Sequence, residues 1–319
     1  MSGPTAMSAP VLTVTLNPAL DQTVILEHLQ VGEVNRAVAA LIHAGGKGVN
    51  VASCLADWDP VGLAATGILG ADNQAPFAAL FQAKSIIDGF VRVPGETRTN
   101  IKLSHEGETT DINLPGLTLL PDAIDALCED VRRLTTPGGL VLLAGSLPAG
   151  LMPDLYPRLA AQIVGQGARA LVDSSGAPLR AALSGPVLPS VIKPNREELE
   201  EFVGHRLADD AALLQAARAL TARGVALVVV SLGAEGALFI TESAALRASL
   251  PPLRVTSTVG AGDAMMAGII AGLREAAGLE RIARLGTAFA VGKLAHPGAN
   301  LPPRQDVEAL AGQVQIINQ

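Results

Sequence analysis

The sequence contains few aromatic residues and few cysteines. Aromatic side chains make up 3% of the 319 residues, with one Trp and one Tyr, so the interior has to be built from Leu, Val, Ile and Ala. The two cysteines, Cys54 and Cys128, fall in helical patterns as small buried hydrophobes and indicate no disulfide framework. No apolar run has transmembrane length, and no signal-peptide pattern is found. We therefore expect a cytoplasmic protein, with residues 1–10 forming a flexible tail.

Lysine is scarce as well, and the net charge is negative. A formal charge of −7 argues against general nucleic-acid binding, and an anionic ligand would need locally concentrated positive charge. Nothing in the sequence indicates a membrane partner. The five lysines are Lys47, Lys84, Lys102, Lys193 and Lys293. Those at 47, 102 and 193 lie in glycine-rich or polar strings, which favours a functional use for these three.

The common phosphate-binding and metal-binding motifs are absent. There is no Gly-x-x-x-x-Gly-Lys-Ser/Thr, and no Gly-x-Gly-x-x-Gly follows the first strand pattern. This argues against a Walker-type nucleotidase and a Rossmann dehydrogenase. Ser146 lacks the glycine frame of a hydrolase elbow, and the histidines and cysteines lack metal-ligand spacing. Any phosphate chemistry must therefore come from other strings.

Strand and helix patterns alternate over most of the chain. Buried-strand patterns, separated by helical ones, occur at residues 11–16, 61–66, 140–144, 168–173, 187–192 and 226–231. This alternation is typical of an α/β fold with a doubly wound, mostly parallel sheet. Between residues 86 and 115 half-polar strands alternate with turns, as in an antiparallel sheet with one solvated face. The sequence predicts one α/β domain over residues 11–319, with a small β lid built from about 22–40 and 88–116.

A glycine-rich string joins a strand pattern to a helical pattern between Ser257 and Gly268. Gly260, Ala261 and Gly262 allow backbone amides to converge at a helix N-terminus, which favours a bound phosphate. Asp263 falls at the cap or at the first helical position. A carboxylate beside an anion site can accept the proton of a hydroxyl that attacks a phosphoryl group. Since Asp is also a favoured N-cap, the local pattern alone leaves both interpretations open.

Two further strings predict a site for a phosphorylated polyol. In the first, Gly45 and Gly46 expose bare backbone, Lys47 can meet a phosphate, and Asn50 can bind hydroxyls; the alternative is a tight turn with a solvated lysine. In the second, the two-residue period of a strand places Arg98, Asn100 and Lys102 on one face. A solvated edge strand is the alternative there. Asn113 repeats the polar alternation, and Ser146 follows a strand at the sheet edge where α/β proteins bind ligands.

The second half of the chain contains two strings suited to a nucleotide. Lys193 can touch nucleotide phosphates, and Asn195 and Glu198 can organise the waters of a magnesium ion. The same Asn195 and Glu198 also fit a helix capping box. Ser231, Gly233 and Gly236 predict a nucleotide-facing loop, for which a plain hairpin turn is the alternative.

Taken together, these strings resemble the ribokinase-like sugar kinases of the phosphofructokinase B family. The resemblance follows the family's order along the chain through Leu16–Asp21, Gly45–Asn50, Thr66–Gly70, Thr97–Asn100, Thr110–Asn113, Gly145–Pro148, Lys193–Glu198, Ser231–Ala237 and Val259–Asp263. It implies a ribokinase-like fold with a β lid that often forms a homodimer contact. It also implies that Asp263 is the catalytic base, that the amides of residues 260–262 form an anion hole, and that Asp21 is a sugar-hydroxyl ligand.

Within this family, Lys47 and the Thr110-Asp-Ile-Asn113 string most resemble the 1-phosphofructokinases, with tagatose-6-phosphate kinases next. The expected reaction is the transfer of phosphate from ATP, with Mg²⁺, to D-fructose 1-phosphate. Asp21, Gly46 and Asn50 are expected to hold the sugar, and Lys47, Arg98 and Lys102 its phosphate. Two other acceptors remain as alternatives, fructose 6-phosphate and an unphosphorylated sugar. A further alternative is a non-catalytic protein that senses a sugar phosphate.

Overall fold

The computed structural model describes residues 9–106, 108–251 and 259–319. Residues 1–8 of the expected tail lie outside these ranges. The expected strand residues Leu253 and Val255, and Ser257 and Thr258, also lie outside them.

The described part of the chain alternates strands and helices. Its strands are β1 (Val11–Thr15), β2 (Ala19–Ile25), β3 (Ala39–Gly45), β4 (Leu63–Gly70), β5 (Ile87–Asp88), β6 (Val91–Val93), β7 (Thr99–His105), β8 (Glu108–Asn113), β9 (Leu140–Ala144), β10 (Arg169–Asp173), β11 (Val191–Ile192), β12 (Leu227–Ser231), β13 (Ala237–Ile240), β14 (Ala245–Ser249) and β15 (Gln315–Asn318). Its helices are α1 (Lys47–Trp58), α2 (Ala75–Ala83), α3 (Pro121–Leu134), α4 (Leu155–Gly165), α5 (Gly176–Ser184), α6 (Arg196–Val203), α7 (Asp210–Ala222), α8 (Ala261–Arg274), α9 (Leu279–Leu294) and α10 (Arg304–Gln313).

The large sheet has the order β15-β14-β13-β12-β11-β10-β9-β1-β4-β5, with β6 also paired to β4. The pairs from β12 to β5 are parallel, and β13, β14 and β15 add antiparallel strands at one edge. Strands β1, β4 and β9 are buried along their whole length, because helices cover both faces of the sheet. The predicted α/β fold with a mostly parallel sheet is confirmed.

A separate small sheet has the order β3-β2-β7-β8. Its composition differs from the sequence prediction in three respects. Strand β3 was not predicted, and β2 pairs with β7 in parallel, so the sheet is mixed rather than antiparallel. Residues 91–93, expected in the lid, pair instead with β4, because Val91 and Val93 pack against the core of the large sheet.

The N-termini of α1 and α8 meet at the carboxyl edge of the large sheet. Helices α1, α8 and α9 pack on one face of the sheet through an aliphatic core, which also holds Trp58 against Phe289 with ring centroids 5.3 Å apart. Strand β3 ends at Gly45 and α1 begins at Lys47, so only Gly46, with φ of 111°, separates the small sheet from this helix.

Among the helices of the described ranges, none combines the length and the apolar character needed to cross a membrane.

Candidate active site

Asp263 lies in the first turn of α8 and is 9% exposed. The helix begins one residue after Gly260, whose φ of +82° is the left-handed conformation that glycine adopts without strain. Asp263 is therefore the third helical residue, not the cap or the first position as predicted. From there its Oδ2 accepts a hydrogen bond of 2.8 Å from the side-chain amide of Asn50 in α1. The structure thus joins two motifs that are far apart in the sequence.

The surroundings of Asp263 favour its protonated form. Burial raises the pKa of Asp263 to about 6, and the negative charge of Asp173 acts in the same direction. The hydrogen bond from Asn50 and the positive charges of Lys47 and Lys193 oppose this rise. A carboxylate with a pKa near 6 is mostly ionised at neutral pH and still basic enough to take a proton.

Asp173 is the site residue that sequence reasoning missed. Its side chain is fully buried at the end of β10, with Lys47 Nζ 3.2 Å from Oδ1 and Lys193 Nζ 3.2 Å from Oδ2. Burial alone would raise the pKa of Asp173, but the two lysines hold it below its usual value. Asp173 in turn raises the pKa of Lys47 above its usual range. An acidic residue ending a buried parallel strand was the available signal, since such strand ends meet at the ligand-binding edge.

Two lysines lie on opposite sides of the Gly260–Gly262 turn. A Cβ atom placed on Gly262 would be 3.4 Å from Lys193 Nζ, and one placed on Gly260 would be 3.4 Å from Lys293 Cε. Both lysines are buried, with 6% and 3% of their surface exposed. Backbone amides at the start of α8 and two neighbouring lysine side chains together make this turn suitable for a phosphoryl group.

A cavity of about 250 Å³ lies between the small sheet and the start of α8. Three of the predicted sugar residues, Asp21, Asn50 and Lys102, line it together with Gly260. Asn100 donates a 3.1 Å hydrogen bond to Asp21, and Lys102 Nζ lies 3.4 Å from the same carboxylate. Gly45 comes so close to Asp21 that a Cβ there would be 2.7 Å from Oδ2. This cavity is the candidate sugar cleft.

Arg98 and Ser146 meet at a different point, the loop after β1. Arg98 donates hydrogen bonds to the carbonyls of Asn17, Pro18 and Leu114, and the Asn17 amide donates to Ser146 Oγ at 3.1 Å. Lys47 Cβ lies 3.8 Å from the Cβ position of the neighbouring Gly145. Asn113 is exposed and opposite Asn100 in the ladder. The three predicted phosphate cations therefore fall into two groups, with Lys102 in the sugar cleft and Arg98 and Lys47 beside this loop.

A second depression, of about 320 Å³, contains predicted nucleotide residues. Asn195, Ser231 and Gly233 line it, and a bridge between Asn195 and Ser231 brings the two strings together. Gly236 lies outside this lining. A Cβ on Gly236 would collide with the carbonyl of Ala248, so close packing against β14 accounts for this glycine.

The capping box anticipated as an alternative at Asn195 is present. The Asn195 side chain accepts from the Glu198 amide at 2.8 Å, and Glu198 Oε2 accepts from the Asn195 amide at 2.9 Å. No group of three acidic, His or Cys side chains arranged for a metal occurs within the described ranges. Mg²⁺ usually keeps several waters and uses one or two carboxylates plus substrate phosphates. The cap engages Oε2 of Glu198, and the charge of this carboxylate contributes to the raised pKa of Lys47. One carboxylate near the lysines of the site fits such a water-mediated ion.

One wall of the sugar cleft is fixed by Lys84. Its Nζ donates to Asp57 Oδ2 at 2.8 Å, to Asn300 Oδ1 at 2.8 Å and to the carbonyl of Ser53 at 3.1 Å. Asp57 also accepts from the Leu301 amide at 2.9 Å. These contacts attach the loop 297–301, which lines the cleft, to α1.

Comparison with known proteins agrees with this geometry. The model of the pfkB family carbohydrate kinases matches residues 14–306. The chain belongs to the PfkB family of carbohydrate kinases. The resemblance given by the sequence motifs is thereby confirmed. The matched residues include Asp263 and the glycine turn before it.

Several relatives cover nearly the whole of this PfkB kinase. A 1-phosphofructokinase of Xanthomonas campestris is 50% identical, with 97% of this chain and 99% of that protein covered. A 1-phosphofructokinase of Escherichia coli is 37% identical over the same shares. Among solved structures, the phosphofructokinase-2 of Escherichia coli in complex with fructose-6-phosphate is 29% identical with a TM-score of 0.87, covering 95% of this chain and 98% of that one.

Proposed function

We propose that this PfkB kinase transfers the γ-phosphoryl group of ATP to D-fructose 1-phosphate, giving D-fructose 1,6-bisphosphate and ADP. The observation that carries the proposal is the position of Asp263, buried in the first turn after Gly260 and hydrogen-bonded to Asn50, which lines the sugar cleft. The choice of acceptor rests on relatives of up to 50% identity that are named 1-phosphofructokinase.

Asp263 acts as the general base. The free primary hydroxyl of the sugar phosphate attacks the γ-phosphorus, and its proton moves to the Asp263 carboxylate as the new O–P bond forms. The bond between the γ-phosphorus and the bridging oxygen breaks, and its electron pair stays on ADP. Asn50 holds the carboxylate through the 2.8 Å hydrogen bond, which leaves the other carboxylate oxygen to face the acceptor.

The N-terminus of α8 stabilises the charge of the transferred group. The amides of Gly260, Ala261 and Gly262 lie in the first turn, where backbone N–H groups have no partner within the helix. Because these donors are held by the fold before substrate binds, they need no reorganisation during the reaction. Lys193, anchored by Asp173, adds a positive charge at the Gly262 side.

The sugar phosphate occupies the cleft beneath the small sheet. Asp21, Gly45, Gly46, Asn50 and Asn100 meet its hydroxyls, and we propose that its phosphate is held by Lys47, Arg98, Lys102, Asn113 and Ser146. Support comes from the position of Lys102 in the cleft and of Arg98 and Ser146 on the adjoining loop. We infer that the small sheet acts as a lid, whose closure excludes water that would otherwise accept the phosphoryl group.

ATP lies along the carboxyl edge of the large sheet. Asn195, Ser231 and Gly233 form its outer contact, and Lys193 meets its phosphates. Glu198 would hold Mg²⁺ through water, and the ion would neutralise charge on the phosphates when bound.

The first experiment is an ADP-release assay with Mg·ATP on fructose 1-phosphate, tagatose 6-phosphate, fructose 6-phosphate and fructose in parallel, with Asp263→Asn as the inactive control. A clear preference in kcat/KM for fructose 1-phosphate supports the proposal. Preference for fructose 6-phosphate would follow the structural neighbour instead and would overturn the substrate. No turnover of any sugar would overturn the enzymatic function.

We also propose a homodimer formed through the small sheet. Side chains alternate between the faces of a strand, and the face turned away from the cleft carries Ile42, Ile101 and Ile112 in neighbouring register positions beside Gln22. Ile42 and Ile112 are 54% and 44% exposed, an aliphatic surface suited to a protein contact. Light scattering of the wild type and of Ile112→Lys tests this, because a dimer through this face should dissociate in the variant.

A further inference from the structure

Lys293 is a buried cation, and no carboxylate of the described residues forms an ion pair with it. It lies in the last turn of α9 and is 3% exposed, and its Nζ donates one hydrogen bond of 3.3 Å to the carbonyl of His296. A lysine at this position can stabilise a helix C-terminus. That role does not require the ammonium group to be buried, since exposed lysines at helix ends perform it.

Each of the other four lysines forms an ion pair with an aspartate. Lys47 and Lys193 pair with Asp173, and each of the remaining two has an aspartate of its own, as Lys84–Asp57 and Lys102–Asp21. Every Asp and Glu of the sequence lies in the described ranges, and within those ranges no carboxylate comes within 4.0 Å of Lys293. Burial of an unpaired charge is costly, so this lysine lowers the stability of the ligand-free protein.

The position of Lys293 identifies the anion that would compensate this charge. The side chain lines the sugar cleft beside Gly260, with its Cε 3.4 Å from the Cβ position of that glycine. It therefore lies at the junction of the cleft and the first turn of α8, across the turn from Lys193. Burial is the largest influence on the pKa of Lys293 and lowers it. Lys102 acts in the same direction, whereas Cys54 and the charge of Asp263 oppose it. A bound anion at this junction would also raise this pKa.

We propose that Lys293 is a fixed cation of the phosphoryl-transfer site, which stabilises the negative charge of the group in transfer at the Gly260–Gly262 turn. This inference rests on the proposed kinase function but not on the identity of the sugar. The phosphate already present on the acceptor lies at the opposite end of the ketose from the attacking hydroxyl, and Lys102, Lys47 and Arg98 serve it. Lys293 is thus assigned to the reaction step, not to acceptor affinity.

The test replaces Lys293 by methionine, which keeps the length of the side chain and removes its charge. We expect kcat to fall roughly 10²–10³-fold, as for the loss of one oxyanion donor, with the KM of the sugar phosphate changed less than about threefold. The matched control, Lys102→Met, should mainly raise the KM of the sugar phosphate. A Lys293→Met enzyme with unchanged kcat and a raised sugar KM would overturn the assignment and make Lys293 an acceptor-binding residue.

Two further readouts separate this role from a structural one. Lys293→Met should melt at the same temperature as the wild type or higher, because no carboxylate loses a partner. In Lys293→Ala, ammonium chloride should restore kcat more than sodium chloride at equal ionic strength, because the ammonium ion can occupy the vacated position. A lowered melting temperature with unchanged kcat would instead indicate a helix-end role and overturn the proposal.

The assay uses whichever sugar the wild type phosphorylates. A wild type that prefers another ketose phosphate would refute the proposed substrate and still allow the kcat comparison for Lys293. Binding of MgADP with aluminium fluoride, which mimics the group in transfer, should weaken in Lys293→Met by about the same factor as kcat. Equal binding of this complex by the two proteins would refute the role of Lys293 alone.

Discussion

The side-chain amide of Asn50 donates a hydrogen bond of 2.8 Å to the carboxylate of Asp263, 213 positions further along the chain. Asn50 lies in the first turn of α1 and Asp263 in the first turn of α8. The bond therefore connects the glycine-rich string that precedes α1 with the one that precedes α8. It is also the hydrogen bond that lowers the pKa of Asp263 against the effect of burial.

Replacing Asn50 by alanine should shift the pH profile of kcat to higher pH. The pKa of Asp263 is about 6 with the hydrogen bond in place, and its loss removes a contact that favours the ionised form. Hydrogen bonds to charged groups contribute about 1.5–3 kcal/mol, which corresponds to a pKa shift of about 1–2 units, so we expect kcat at pH 7 to fall roughly 2–15-fold. Asn50→Asp adds a second negative charge and should shift the midpoint further. A midpoint unchanged in both variants contradicts this coupling.

Replacing Asp263 by asparagine should reduce activity and increase stability. We expect kcat to fall by at least the ~10²–10⁴ typical of general-base removal, with a smaller change in KM. Folding raises the pKa of Asp263 from 3.8 to about 6, so its contribution to stability is greatest below its ordinary pKa and is lost as the pH rises through about 6. The gain in melting temperature of Asp263→Asn over wild type should therefore be larger at about pH 8 than at about pH 5. Near-wild-type kcat would rule out Asp263 as the base.

Removing the charge of Asp173 should destabilise the fold. Asp173→Asn leaves Lys193 buried without a counter-ion, and breaking a buried ion pair costs about 3–5 kcal/mol. The other partner, Lys47, is 34% exposed and can reach water, so we expect a loss towards the lower end of this range in urea unfolding. Adding Lys193→Met to Asp173→Asn should recover part of the stability. A double variant no more stable than the single one would show that the ion pair is not the cause.

Arg98 and the acceptor phosphate provide a test based on KM. Arg98→Ala should mainly raise the KM of the phosphorylated sugar. Arg98→Lys keeps a charge but not the bidentate geometry, so its KM should lie between those of the wild type and of Arg98→Ala. The KM of ATP serves as the control, because Asn195, Ser231 and Gly233 lie in a separate depression. A rise in the KM of ATP without a rise in that of the sugar would place Arg98 at the nucleotide instead.

Lys84 should control the order of the loop 297–301. In Lys84→Met, Asp57 loses its ion pair and the Asn300 side chain loses a hydrogen bond. We therefore expect the free energy of unfolding to fall by roughly 2–4 kcal/mol. Hydrogen exchange should speed up first in this loop. The KM of the sugar phosphate should rise as well, because the loop lines the cleft. Uniform acceleration of exchange over the whole chain would show a global effect rather than a local one.

The parts of the fold that depend on local pattern could be read from the sequence. Strand β9 has the predicted bounds, Leu140 to Ala144, because an aliphatic run between turn residues determines a buried strand on its own. The predicted start of α8, at Asp263 or just after it, is two to three residues too late. The helix begins at Ala261, directly after Gly260 in its left-handed conformation. Helix boundaries depend on such single backbone angles, which composition does not specify.

What depends on pairing between distant segments was not predicted. Strand β3 and the parallel β2–β7 ladder arise from contacts between residues 19–45 and 99–105, and neither segment shows this partner in its own pattern. Asp173 ends a predicted strand, but its segment does not show which side chains surround it. Only when the fold brings Lys47 and Lys193 to the end of β10 does its carboxylate become distinct from other strand-end acids.

The single residue between β3 and α1 has a mechanical consequence. Asp21 and Lys102 belong to the small sheet, whereas Lys47 and Asn50 belong to the helix that begins directly after Gly46. If the small sheet closes as proposed, a rotation about this glycine would be transmitted along a covalent connection to Asn50, and from Asn50 to the carboxylate of Asp263. The proposed capture of the acceptor and the alignment of the proposed base would then be parts of one movement with a common pivot.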